Sequence, residues 1–458
     1  MRRIQSIAAI LLATITMFGQ HRAAREDAST DGRDKSLYQA RTDREAVPYS
    51  TAPPALGPAG STIHDPSFGS RILRVTDGHS DPSQPGQSLF TPSSSEQNSW
   101  NKTSTMFYVS TAGGSFLLYR FDPESMKVRR ADSSTLSWGP EPQFSFTQPN
   151  VLYGVNRRDL IFQQYDTTTK KLSDVNRISK CAKVRPSDFA GSPTVSADDT
   201  RFMTSIGPTQ DRHYLIYVYD KTQGCRWYNT QTGEVGGGWG PKGTIPAEDR
   251  FLVHNARMSK SGKFVYMTPS GAGGGRKTWA VWQIDTMIVG FCRLGCAGHH
   301  VLGYSHIVGP SNMAHPLDLW LRPLDRLDAT TPLLSKLEPL KNYWYDSHYS
   351  WNNVDANDTA PVCFSTYRPT NPDSSEAPPQ VNGPWENEID CAATDGKNST
   401  VWRFAHTYST ARNGFWSQPR GNVSQDGRFF MFTSDWQDRL GRDAKGRFRT
   451  DVFVVELR

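Results

Sequence analysis

From about residue 70 onward the chain repeats one phrase of polar and apolar positions. Each copy has a polar start, a turn rich in Asp, Gly or Ser, an apolar run, a loop, and a second apolar run that often ends near an aspartate. QNSWNKTSTMFYVS with SFLLYRFDP is the first copy, and EPQFSFTQPNVLYGV with DLIFQQYDTTT is the second. SPTVSADDTRFMTSI with YLIYVYDKT and HNARMSKSGKFVYMT with TWAVWQIDT follow. GYSHIVGPSNMAHPLDLWLRPLD is a degenerate fifth, and HYSWNNVDANDTAPVCFSTY with NEIDCAATDG a sixth that carries a long insertion. QPRGNVSQDGRFFMFTSD with TDVFVVEL is the seventh. Short apolar runs rich in aromatic and β-branched residues, bounded by turn signals, predict strands, and no long helical period competes with them.

Seven copies within residues 67–458 give roughly 55 residues each, somewhat more than compact blade repeats, as loop insertions require. One such unit cannot bury both faces of its small sheet, whereas a closed ring of them can, and closure also protects the sheet edges. The expectation is an all-β chain folded as a seven-bladed β-propeller. Two β-sandwiches, the rival, leave the recurrence of one phrase unexplained. The 37 Gly, 30 Pro and 13 Trp fit short strands joined by many turns.

The start of the chain reads differently. Arg2 and Arg3 precede IAAILLATITMF, an apolar run too short for a stable membrane span, so residues 1–23 are expected to be a secretory signal peptide, with an uncleaved anchor as the alternative. Residues 24–66 are polar, then rich in Pro, Ala and Gly, and are expected to form a disordered linker. No later segment is long and apolar enough to span a bilayer. A secreted or periplasmic location follows, and six cysteines suit it. Fifteen pairings are open to them. Cys292 with Cys296 would close a small loop, Cys363 with Cys391 would join neighbouring strands, and Cys181 with Cys225 would remain. The net charge of +6 over 458 residues is mild and forms no concentrated basic face, which argues against nucleic acid as a partner.

In style the phrase resembles the S-x-D-G repeats of TolB-type, WD-repeat-like propellers and those of oligogalacturonate lyases; NVSQDGRFFMFTSD and RMSKSGKFVYMT carry the resemblance, over residues 70–458. In a propeller the first strand of each blade lines the central channel and starts near one mouth. Aligning the copies on their turns places Gln97, Glu141, Ser192, Asn255, His348 and Arg420 at comparable positions, with Tyr304 to His306 from the degenerate copy and His254 and Gln418 close by. Ordered water alone could occupy such a ring. A ligand, carbohydrate or protein, is the other reading.

An eliminative reaction at a uronic acid needs a base, a cation for the carboxylate, and an acid for the leaving oxygen. His348 is the candidate base, Arg420 the carboxylate partner, and Tyr349 or Tyr304 the acid. Gln97, Glu141, His254, Asn255, Trp351 and Gln418 are candidate substrate contacts, and Trp100 and Trp416 could also stack on sugar rings. The lyase resemblance implies histidines and a glutamine around a divalent metal. His300 and His306, with His348 and Gln418, are the look-alikes, although QPRG replaces a histidine-rich cluster in the last copy. His406 and His315 read as a packed and a solvent-facing histidine. The expected function is recognition of an extracellular carbohydrate, with polysaccharide lyase activity as its enzymatic form; a non-catalytic propeller docking a protein at the cell envelope is the alternative. GAGGGRKT departs from a phosphate-binding loop at Arg276, and no G-x-S-x-G or H-E-x-x-H motif occurs.

Overall fold

Every apolar run of the repeated phrase forms a strand. The computed structural model describes residues 37–48, 52–131, 136–139, 141–246, 250–270, 279–292, 296, 299–310, 319–334, 346–352, 354–368, 383–397, 400–412 and 414–458. Among them the ladders, all antiparallel, form sheets A (89–130), B (143–177), C (189–244), D (253–291), E (301–332) and F (346–406). A closing sheet, G, joins Thr62–His64 and Arg71–Arg74 to Asp451–Glu456, Phe429–Ser434 and Gly421–Val423. Central strands such as Phe429–Ser434 and Asp451–Glu456 are buried along their whole length, which is why they read as continuous apolar runs rather than alternating ones.

The fold is an all-β propeller. Its blades are counted at six, against the seven expected from the repeats. The sheets are unequal: in sheet E, built from the degenerate copy, both edge strands are two residues long (Val301–Leu302 and Thr331–Pro332). Apolar side chains of successive sheets pack face to face. Trp100, which could stack on a sugar ring or wedge between blades, is buried with Leu73, Phe107, Phe429 and Val454 between sheets G and A. Trp351 is likewise buried between sheets E and F, its indole N–H donating to the carbonyl of Ala360 (2.6 Å). Wedging between sheets won over ligand stacking because each indole buries more apolar surface there.

The expected linker is corrected over its described part. Tyr38 meets Trp402 and Phe404 edge-on (centroids 5.4 and 5.0 Å). Arg403 donates to the carbonyls of Asp43 and Glu45, and His406 contacts that of Val47. Strand pairing begins at Thr62 rather than 67. Polar composition alone hid this, because the partners that offset the ordering cost lie about 360 residues away in sequence.

Cys181–Cys225, Cys292–Cys296 and Cys363–Cys391 form disulfides, the pairing expected. No helix among the described residues is long and apolar enough to cross a membrane.

Candidate functional site

The polar starts of the copies serve two purposes. Some stitch neighbouring sheets together through backbone groups. Asn98 donates to the carbonyl of Phe144, Gln143 to that of Val195, Asn352 to that of Val423, and Asn422 to those of Ser95 and Gln97. Gln97 is the most engaged: its amide donates to the carbonyls of Glu141, Pro142 and Pro193 and its oxygen accepts from Arg257 (2.6 Å). It is a brace rather than a free ligand contact.

Others face a cavity of about 410 Å³. Glu141, Ser192, His254, Asn255, His348 and Tyr349 line it. A register shift between Val253 and Asn255 marks a bulge at His254, and both His254 and Asn255 reach the lining. His348 is buried, its Nε2 donating to Oε1 of Gln418 (2.8 Å) while its ring stacks on those of His299 (3.9 Å) and Tyr367 (5.5 Å). Burial, reinforced by His299, holds its pKa well below the usual histidine value, so the ring is neutral at pH 7. In that tautomer Nδ1 carries the ring's lone pair.

Arg420 is fully buried, and its three guanidinium nitrogens have no hydrogen-bond partner among the described residues. Burial lowers its pKa to about 10, so it remains charged. Phe415 and Trp416 stack on it, at 4.2 and 5.0 Å from Cζ to the ring centroids. Such stacking offsets about 0.5–2 kcal/mol, less than the several kcal/mol that a buried unpaired charge costs. Gly421 follows because a side chain there would meet Phe430 at 2.0 Å.

Three further clusters in the lining escaped the sequence reading. Glu141, its pKa subject to burial but lowered by Arg257 and by the hydroxyls of Ser93 and Ser192, stays ionised; Arg257 Nη2 lies 3.5 Å from it. Glu96 faces His300 Nε2 at 3.3 Å; burial raises its pKa to about 8, and its Oε2 has no partner among the described residues. Ser205 Oγ lies 2.7 Å from His213 Nδ1, beside Arg157, which stacks on Phe189 at 4.4 Å. Arg257 was legible in principle, two residues beyond Asn255 on the same strand face. Ser205, His213 and Arg157 lie outside the aligned polar starts and left no such signal.

Four expectations are corrected. Tyr304 and His306 lie outside the cavity lining, at a hairpin turn where the backbone N–H groups of both donate to Asp358 (2.7 and 3.1 Å). The polar start of the degenerate copy is His299 and His300, just before Val301–Leu302, and the alignment selected the turn after that strand instead. Tyr349 does line the cavity, but its buried hydroxyl accepts from Ser347 and burial raises its pKa far above the ordinary phenol value, which disqualifies it as an acid. His300 and His306 do not converge, since one pairs with Glu96 and the other with Asp358. No group of three or more His, Cys, Asp or Glu among the described residues is placed to hold a metal, so the donor set does not fit the divalent ion that the lyase resemblance implied.

No family model and no curated protein matches the sequence. Among solved structures the chain is similar to an oligogalacturonate lyase in complex with manganese (13% identity, TM-score 0.54, 89% of this chain and 99% of that one). It is also similar to an oligogalacturonate lyase from Vibrio parahaemolyticus (10% identity, TM-score 0.53, 89% and 98%). At such identities the likeness establishes the propeller fold.

Proposed function

We propose that this is an exported propeller that binds an acidic extracellular carbohydrate in the cavity and cleaves it by β-elimination. The observation that carries the reading is Arg420, a charged guanidinium held without a counter-ion beside a neutral histidine. Its ordinary partner is a carboxylate, which takes two parallel charge-assisted hydrogen bonds. With a uronate carboxylate on Arg420, the acidity of the adjacent C–H rises, because the charge that develops on the carboxylate oxygens is met by a fixed cation. His348 Nδ1 then takes that proton, and Gln418 holds the ring in the required tautomer. Glu96, which retains its proton near neutrality, is the group in the lining suited to protonate the leaving oxygen.

The hydrogen-bonded sheets, with apolar clusters linking A to B onward and G back to A, support a closed propeller ring as the frame of this site. The three disulfides and the apolar leader support export to an oxidising compartment. The test is incubation with polygalacturonate and with ulvan-type polymers while following ultraviolet absorbance of the unsaturated uronate end. Product from at least one polymer, lost in His348→Ala, is the expected result. Neither product nor binding with any of them would remove the proposal.

A further inference from the structure

Arg420 does not line the cavity; Phe415 and Trp416 do. The two rings therefore stand between the unpaired guanidinium and the space where a ligand would lie. They remain 40% and 45% exposed, although large aromatic side chains are ordinarily buried. The turn that carries them, Gly414–Ser417, is a single 3₁₀ turn entered through Gly414 at φ +62°. Its base is tied, since Ser409 Oγ donates to the carbonyl of Ser417. The Phe415 carbonyl accepts from the Gln418 N–H (3.4 Å), while the two aromatic side chains make ring contacts: Trp416 leans on Phe90 (5.2 Å), and Phe415 meets His348 edge-on (6.3 Å). No hydrogen bond among the described residues fixes the Trp416 indole.

We infer that Phe415 and Trp416 are the specificity-determining residues of this site: a displaceable aromatic cover that yields Arg420 only to a ligand carrying both a carboxylate and a flat ring face. This rests on the acidic-carbohydrate reading above. A small anion has the charge but no surface to replace the cation–π contacts that it breaks. A neutral sugar has the surface but nothing to pair with the guanidinium. A pyranose uronate has both, and the moved indole stacks on its C–H face. The cover thus screens ligands before chemistry starts.

Stopped-flow binding of digalacturonate tests this, with acetate and a neutral disaccharide as controls. The expected result is slow association with the wild type and no binding of either control. Association should be about tenfold faster with Trp416→Ala, and binding should be lost with Arg420→Gln. A Trp416→Ala protein with unchanged association and faster dissociation would make the rings a fixed platform and overturn the inference. A second arm needs no sugar: phenylglyoxal modification of Arg420, read by mass spectrometry on protein with an unchanged melting curve. Modification should be slow in the wild type and about tenfold faster in Trp416→Ala; equal rates would overturn the cover. If digalacturonate fails to bind while the labelling rates differ as stated, the carbohydrate reading falls and the cover stands.

Discussion

The cavity wall and the hairpin turns that join the first two strands of each sheet are equally polar, yet they treat their charges in opposite ways. At the turns the carboxylates are saturated. Asp199 accepts from the hydroxyls of Ser145 and Thr147 and from backbone N–H groups of sheet B. Asp358 accepts from the N–H groups of Tyr304, Ser305 and His306 in sheet E. Lys260 differs: its buried amine lies over the Trp351 ring (5.6 Å) and has no hydrogen-bond partner among the described residues. In and behind the cavity wall, Arg420, Arg257 Nε, Glu96 Oε2 and His213 Nε2 all lack partners among the described residues. Satisfied buried charges fix one sheet against the next, whereas unsatisfied ones store capacity for something that arrives later.

Substitutions should separate the two regions. The largest effect is expected for Arg420→Met: turnover of an acidic polymer falls by about 100-fold or more, while the melting temperature holds or rises, because a buried unpaired charge has been removed. A clear fall in melting temperature with activity retained would make Arg420 a structural residue. Asp358→Asn should do the reverse and cost about 1–3 kcal/mol in urea unfolding, by weakening a buried multiple acceptor, with kcat and KM unchanged where the variant is folded.

A smaller effect concerns pH. Burial, with help from His254, lowers the pKa of His213 from 6.5 to about 4. Its native form therefore binds fewer protons than its unfolded form, so its contribution to stability is present above pH 6.5 and is lost as pH falls through about 4. His213→Gln should flatten the unfolding free energy across that window; an unchanged slope would place the acid sensitivity elsewhere. The smallest effect is expected for Tyr304→Phe, since that hydroxyl lies outside the cavity. Its turnover should stay within about twofold of wild type, in the manner of a surface substitution.

These contrasts also mark what the sequence made visible. The repeated phrase located the central strands but not outer ones such as Val401–His406, and alignment on its turns brought Glu141, Ser192, Asn255 and His348 to one cavity from four sheets. The same alignment could not tell a brace from a ligand contact. Gln97 and His348 occupy comparable positions, but only the neighbours that each meets after ring closure decide its role. Phe415 left no pattern because its turn belongs to no strand, and Glu96 passed unnoticed beside the brace Gln97. Tyr38 and Val47 sat in a segment whose composition resembles disorder, and their docking partners belong to sheet F.

Sheet G has a kinetic consequence. Arg71–Arg74 is hydrogen-bonded to Asp451–Glu456, so the earliest-made strands of the propeller wait for the last-made one. Until then their backbone edge is open to whatever strand comes near, in this chain or in another. Folding should therefore be slow and prone to intermolecular pairing at high concentration, and a carboxyl-terminal deletion reaching Asp451 should aggregate rather than simply lose one edge.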